Sequence, residues 1–228
     1  LGKTTFRIFL VINGCLAPLL IGTAIGTFFT GSEFTINKTA VASINSPVIS
    51  QWSNEWHGLE AVTEPFNVEF GLMVMFLTIC LGAMYLINNI ADSTLAYRLR
   101  RCLMFCFCCF LTMFLIVITQ LMTMDGFAVN ADGNIYRETH KYMHNLLQMP
   151  IVLIMFLTGV LLLLTSITIS LIKSSFRHGI WFGGLGTILS VIAIFMIAGY
   201  NNTSYYPSTA DIQSSLTISN SCSSEFTL

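Results

Sequence analysis

The sequence predicts an all-α polytopic membrane protein built around a five-helix transmembrane bundle. Hydrophobic residues make up 54% of the 228 residues and charged residues only 9%. The mean hydropathy is +0.75, which excludes an ordinary soluble domain. The chain also contains five long apolar stretches with no charged residue near their centres. We therefore expect one membrane domain, residues 1–228.

Each apolar stretch is long enough to cross a bilayer as a helix. About 20 helical residues at about 1.5 Å each span the roughly 30 Å hydrocarbon layer, where only a helix or a closed barrel satisfies its own backbone. The predicted helices are residues 7–30, 70–91, 102–124, 150–172 and 179–200. Residues 31–69 and 125–149 then form two larger loops, and residues 201–228 form a polar C-terminal tail.

Basic residues divide unevenly between the two sides of this bundle. Seven lie on the side of the N-terminus, namely Lys3, Arg7, Arg98, Arg100, Arg101, Lys173 and Arg177, and three lie on the other side, namely Lys38, Arg137 and Lys141. By the positive-inside rule the N-terminus is cytoplasmic, and the larger loops and the tail are external. The net charge of −1 gives no reason to expect nucleic-acid binding.

The second external loop is expected to contain a turn and then a short helix. Residues 130–134 read Asn-Ala-Asp-Gly-Asn, and Gly and Asn tolerate the positive φ angles of tight turns. The residues that follow at helical spacing are Ile135, Tyr136, Thr139, Met143, Leu146 and Leu147. They predict a helix at the membrane surface, before Pro150 opens the fourth span.

Histidines are the first candidates for a metal or haem site. His140 and His144 are four residues apart, so on a helix they share a face and could bind zinc, but no cysteine or acidic cluster nearby supplies further ligands. An interfacial polar face is the favoured interpretation. Together with His57 and His178 they lie in loops or at span ends, which argues against a haem held wholly within the five helices.

Six of the seven cysteines lie inside or at the ends of apolar stretches. Cys102, Cys106 and Cys109 would form one stripe of a helix beside Cys108, but they lack the separated pairs of a zinc or iron–sulfur site. Packing is the favoured interpretation. Cys222 is in the polar tail, so no disulfide framework is predicted. The sequence therefore nominates no catalytic, cofactor-binding or metal-binding residue.

Small and polar residues within the spans indicate how the helices pack. Gly-x-x-x-Gly patterns at 22–26 and 179–183 favour close helix approach. Polar residues that could hydrogen-bond across helices are Asn13, Asn88, Asn89, Gln120 and the Thr/Ser run at 165–170. No acidic or basic residue is predicted inside the membrane, which argues against an autonomous pump or transporter. The residues alone indicate a scaffold-like bundle.

Five segments carry a resemblance to a known family. They read Pro-Leu-Leu-Ile-Gly-Thr-Ala-Ile-Gly at 18–26, Trp-His-Gly-Leu-Glu-Ala at 56–61 with Pro-Phe-Asn-Val at 65–68, Gly-Ala-Met-Tyr-Leu-Ile-Asn-Asn-Ile at 82–90, Met-Asp-Gly-Phe at 124–127, and Asn-Asn-Thr-Ser-Tyr-Tyr-Pro-Ser at 201–208 with Ser-Ser-Leu-Thr at 214–217. In this order they resemble subunit II of the cytochrome bd quinol oxidases. The family's first three helices and its last helix have no counterpart, so a fragment is expected, with exposed small-residue faces around Gly22, Gly26, Gly179 and Gly183.

The resemblance implies the non-haem-ligating subunit of a terminal oxidase in the bacterial cytoplasmic membrane. Such a complex oxidises membrane quinol, reduces dioxygen to water and takes protons from the cytoplasm. The b- and d-type haems would lie in the partner, subunit I, and this chain alone would not be catalytic, although a quinone could bind it. The family's functional groups belong to the missing helices, so no site residue is carried over. The alternative is a non-enzymatic polytopic membrane scaffold or assembly protein, with a small transporter or channel third.

Overall fold

The computed structural model of the chain describes residues 2–37, 50–173 and 175–218. Within these ranges five helices are long and apolar enough to cross a membrane, which confirms the all-α polytopic fold class. They are α1 (Lys3–Thr30), α2 (Pro65–Asn89), α3 (Ser93–Thr123), α5 (Pro150–Ile172) and α6 (Gly179–Gly199), and a short helix, α4 (Lys141–Gln148), precedes α5.

Three spans begin earlier in the chain than their apolar stretches predict: α1 by a few residues, at Lys3, and α2 and α3 for identifiable reasons. Helix α2 starts at Pro65, whose fixed φ suits the first helical position. Helix α3 starts at Ser93, because the Asp92 carboxylate accepts hydrogen bonds from the backbone N–H of Thr94 at 2.8 Å and of Leu95 at 3.4 Å. This cap extends α3 through a polar first section that carries three arginines.

Helix α2 lies at the centre of the bundle. It packs extensively against α1 and α3 and also touches α5 and α6, while α5 and α6 form a second close pair. Glycines lie at close contacts between helices: Gly22 of α1 lies against Gly71 of α2, and Gly159 of α5 lies against Gly186 of α6. Small residues therefore set the spacing of the helices, as in other membrane bundles.

The expectation that Gly22, Gly26, Gly179 and Gly183 line exposed faces is wrong. All four glycines are buried within this chain. A Cβ atom built on Gly26 would lie 2.5 Å from the Asn67 Oδ1 of α2, and one on Gly183 would lie 2.8 Å from the Met84 Cε of α2. These four glycines pack against other helices of the same chain, so they are not available for contact with a further helix.

Loops and short strands form one end of the bundle, which we call the outer cap: residues 31–37, 50–64, 124–149 and 200–218. Strands β1 (Phe34–Ile36) and β2 (Ser50–Trp52) pair antiparallel, as do β3 (Gly126–Val129) and β4 (Ile135–Glu138). The turn predicted at 130–134 is confirmed between β3 and β4, where Gly133 has a φ of 80°. The opposite end, with the start of α1 and the α2–α3 and α5–α6 connections, is the basic face.

The short helix predicted after this turn begins later than expected. Ile135 and Tyr136 belong to β4, because their backbone pairs with β3, and only the residues from Lys141 onward form α4. His140, with a φ of 54°, separates the strand from the helix. The prediction is therefore wrong for the first part of the segment and confirmed for α4, and Pro150 opens α5 as predicted.

The predicted tail is folded into the outer cap over residues 201–218. Isolated β-bridges join Thr203 to Ala128 and Ser208 to Ser32. The Ser208 side chain is fully buried and its hydroxyl donates to the Phe34 carbonyl. This segment consequently ties the two strand pairs together over the ends of the spans.

Candidate functional site

Charged side chains gather around a cavity in the outer cap. The cavity has a volume of about 420 Å³ and lies between the C-terminal end of α1, the N-terminal end of α2 and the β3–β4 hairpin. Its charged wall residues are Glu33, Glu60, Glu64, Asp125 and Arg137. Four carboxylates face one guanidinium, so the wall is acidic and disfavours an anionic ligand.

A buried amide links the elements around this cavity. Asn67 of α2 is 1% exposed, accepts a hydrogen bond from the Thr30 hydroxyl at 2.9 Å and donates to the Ala61 carbonyl at 3.2 Å. Next to it, Oε1 of Glu60 accepts the Glu33 backbone N–H at 3.2 Å. Oε2 of Glu60 is the one buried side-chain oxygen without a partner among the described residues. Such an atom is costly to bury, so Glu60 is the least satisfied polar group of the cap.

A second buried amide, Asn145 of α4, holds the tail against the bundle. Its side chain is fully buried and donates to the Ile197 carbonyl at 2.8 Å and to the Thr203 hydroxyl at 2.7 Å. Its Oδ1 accepts from Asn201 at 3.1 Å. Three segments, α4, the end of α6 and the tail, thus meet at one residue. Sequence reasoning missed it, because an asparagine on a short polar helix reads as a solvent-facing residue.

The histidine pair predicted as a possible zinc motif is separated in the structure. His140 precedes α4 in a left-handed conformation, whereas His144 lies within the helix and its Nδ1 is 2.9 Å from a Glu138 carboxylate oxygen. Lys141 contacts the other oxygen at 3.1 Å. In the part of the chain that the structure describes, no three His, Cys, Asp or Glu residues lie together as a metal site.

The ion pairs of Glu138 affect its protonation. Burial raises the pKa of Glu138, but hydrogen bonds from His144 and Lys141 outweigh burial and hold the pKa below its ordinary value. When folding lowers the pKa of a carboxyl group, the group stabilises the folded state at pH values above its pKa in the unfolded chain. That contribution is lost as the pH falls through the folded pKa.

We expect the chain to lose some thermal stability on acidification below about pH 4.5, the ordinary value for this group. Glu138→Gln should flatten this part of the pH profile, because it removes the titrating carboxylate. Melting temperatures measured in nanodiscs between pH 7 and pH 3.5 would test this. Glu55→Gln, at an exposed position of the first loop, is the control. Parallel profiles for wild type and Glu138→Gln would contradict the prediction.

The four histidines lie away from the bundle interior. His57 is exposed in the first loop, His178 is exposed at the start of α6, and His140 is exposed before α4. His144 is partly buried, but it lies on the outer cap, where its ring contacts the Glu138 carboxylate. None of the four side chains is therefore placed to face a ligand among the spans.

The cysteines of the spans are divided between the core and the bundle surface. Cys80 of α2 and Cys106 of α3 belong to the buried core, and the Cys106 Sγ is 4.0 Å from the Cys102 Sγ. Cys108 is exposed on α3. Cys222 lies outside the described residues. Burial of Cys80 and Cys106 agrees with packing, whereas Cys102 and Cys108 are exposed on the surface of α3.

Polar contacts between the spans are few in the described residues. Gln120 of α3 donates to the Glu69 carboxylate of α2 at 2.6 Å, so the prediction that Gln120 bonds across helices is confirmed. Asn89 instead donates within its own helix, to the Tyr85 carbonyl at 2.9 Å. Sequence reasoning assigned Glu69 to a loop because the apolar stretch begins only after it.

An apolar cavity of about 190 Å³ lies among α1, α2, α3, α5 and α6. Its few hydroxyl groups, on Thr78, Thr187 and Ser190, each donate to a carbonyl four residues earlier in their own helix. The cavity therefore presents an almost wholly apolar wall without free hydrogen-bond donors on these residues.

Comparison with known families gives one result. The sequence matches the family described as cytochrome bd terminal oxidase subunit II over residues 1–228. No curated protein matches the chain.

Proposed function

The chain belongs to the cytochrome bd terminal oxidase subunit II family, and from this membership we propose that it acts as the non-haem-ligating subunit of a bd-type quinol oxidase. The assembled enzyme transfers electrons from membrane quinol to dioxygen and takes protons from the cytoplasm. The match over residues 1–228 is the observation that carries this proposal, and the five spans supply the membrane setting that it requires.

The placement of the histidines supports a haem-bearing partner. Protein haems are held by axial ligands such as histidine, which must face the cofactor. His57, His140 and His178 are exposed outside the spans and His144 is bonded to Glu138, so none of the four histidines is placed to ligate a haem among these spans. The b- and d-type haems therefore belong to subunit I in this proposal, and the chain alone is not catalytic.

A quinone headgroup also lacks a fitting place in the apolar cavity. Sites for small organic ligands measure about 300–1,000 Å³ and offer a few polar groups, whereas this cavity measures about 190 Å³ and its hydroxyls donate to their own helices. In this proposal quinol oxidation belongs to the partner. The role of this chain is to support the partner within the membrane.

The basic residues support an orientation for the complex. Arg98, Arg100 and Arg101 follow the α2–α3 connection on the basic face, and Lys173 and Arg177 lie in the α5–α6 connection. The positive-inside rule then puts the N-terminus in the cytoplasm of a bacterial cell and the outer cap outside the cytoplasmic membrane.

Affinity purification from native membranes tests the proposed function. The chain should co-purify with a partner that shows b- and d-type haem absorbance, and the complex should oxidise quinol with consumption of dioxygen. The isolated chain should show neither property. A stable haem-free complex would overturn the proposal and favour the scaffold or assembly protein, and iron ligated by the isolated chain would also contradict it.

A further inference from the structure

A wide groove opens on the basic face of the bundle. Its volume is about 740 Å³, and it lies where the α2–α3 connection approaches the α5–α6 connection. Arg100, Arg101 and Arg177 line it together with Tyr97, and its wall contains no acidic residue. The groove thus gathers three cationic side chains and an aromatic hydroxyl around one opening.

Two of the three guanidinium groups of this groove, those of Arg101 and Arg177, have no carboxylate partner among the described residues. The side chains of Arg101 and Arg177 are exposed. Over residues 2–37, 50–173 and 175–218 the ion pairs involve only Glu138, which is on the outer cap, so neither guanidinium has a carboxylate partner. Arg100 donates its Nε–H to the Ser170 carbonyl at 3.0 Å, which holds it across α3 and α5.

The same groove continues into the apolar part of the spans. Met104 lies three residues after Arg101 on α3, hence on the same helix face, and is 54% exposed. Leu171 lines the groove next to the end of α5. Cationic side chains at a membrane boundary therefore stand directly beside apolar surface. A ligand that suits both must combine an anionic head with hydrocarbon.

We propose that this groove binds the phosphate headgroup of an anionic membrane phospholipid. Arg101 and Arg177 contact the phosphate oxygens, since guanidinium groups present donors that match phosphate. Tyr97 lies at the headgroup level, and Met104 and Leu171 contact the first methylenes of the acyl chains. Basic pockets between transmembrane helices commonly bind such lipids. The proposal does not depend on the oxidase function.

Lipid titration of the native complex tests this assignment. The chain, purified with its natural partners and stripped of lipid in mild detergent, is titrated with phosphatidylglycerol, phosphatidylcholine or inorganic phosphate, and bound ligand is counted by native mass spectrometry. We expect phosphatidylglycerol to bind more tightly than either alternative. The double variant Arg101→Gln/Arg177→Gln should weaken this binding roughly 25-fold, because each basic residue at an anionic surface contributes roughly fivefold.

Two further variants make the result specific. Arg98→Gln removes one positive charge from the same exposed section of α3 but outside the groove wall, and it should leave the binding nearly unchanged. Arg101→Lys/Arg177→Lys keeps both charges but loses the guanidinium geometry, so its affinity should lie between those of the wild type and the Gln variant. Its unfolding temperature should equal that of the Gln variant when no lipid is added. Equal phosphatidylglycerol binding by all variants would overturn the proposal. Equal affinity for inorganic phosphate would overturn the assignment to lipid.

Discussion

Replacing Gly186 with valine is expected to force α5 away from α6 and to lower the stability of the bundle strongly. A Cβ atom at this position would lie 2.6 Å from the Gly159 carbonyl oxygen and 2.7 Å from the Leu163 nitrogen. Both are backbone atoms, so relief requires movement of a whole helix. Overpacking alone costs about 1–3 kcal/mol, and we expect a loss at or above the upper end of that range. Thermal unfolding in nanodiscs measures it.

Gly184→Val is the matched control for this variant. Gly184 lies in the same helix two residues away, and a Cβ atom there would meet nothing within 4 Å. The control introduces the same β-branched side chain without a helix contact, so its melting temperature should stay close to that of the wild type. Equal destabilisation by both variants would show that the close contact of α5 and α6 is not the cause.

The spans could be predicted from the sequence because hydropathy is a local property. Each apolar stretch corresponds to one long helix, α1, α2, α3, α5 or α6. The beginning of α3 could not be predicted in this way. It depends on a cap by Asp92 that extends the helix outward from the apolar residues through Arg98 and Arg101. Hydropathy records where lipid contacts a helix, whereas hydrogen bonds decide where the helix starts.

The outer cap was predicted less well because its structure depends on long-range pairing. Residues such as Ile135 and Tyr136 fit a helical spacing, but the pairing of their backbone with β3 makes them a strand. Ser204 and Ser208 read as parts of a solvated tail, yet both are fully buried and bonded. Composition cannot distinguish a serine that bonds to water from one that bonds to a distant carbonyl.

Candidate site residues were the hardest to predict for a related reason. Sequence reasoning considered His140, His144 and the cysteines, which are the usual metal-binding types, and favoured a polar face and packing for them. In the structure His140 lies before α4, Cys80 and Cys106 lie in the core, and Cys108 is exposed on α3. The polar residues that join different segments in the structure are Asn67, at the acidic cavity, and Asn145, beneath the tail. Neither amide belongs to a sequence motif that predicts such a role. Their importance arises from burial, which only the folded chain reveals.

Polar chemistry is concentrated at the two ends of the bundle. The outer cap holds an acidic cavity, the basic face holds an arginine-lined groove, and the space between them holds a small apolar cavity. Helices that carry out proton or ion transfer themselves usually place charged groups near the membrane centre. In the described residues, the two cavities at the ends are lined by charged side chains, whereas the one between them is almost wholly apolar.

Asn145→Leu is expected to detach the tail from the bundle and to destabilise the chain by about 3 kcal/mol. The leucine has a similar volume but makes none of the hydrogen bonds to Ile197, Thr203 and Asn201. Each buried group left without a partner costs about 1–3 kcal/mol, partly offset here because Asn201 also donates to Gln148 at 2.6 Å. Hydrogen exchange should rise over residues 201–218, and the melting temperature should fall.

The exposed residue Asn134, in the turn between β3 and β4, provides the control for Asn145→Leu. Asn134→Leu makes the same chemical change at the surface of the same cap, where substitutions usually shift stability by no more than about 0.5 kcal/mol. Its exchange over residues 201–218 should match the wild type. Unchanged exchange in Asn145→Leu would show that the β-bridges of the tail hold it without the buried amide. A rise restricted to this variant would instead identify Asn145 as the residue that joins α4, α6 and the tail.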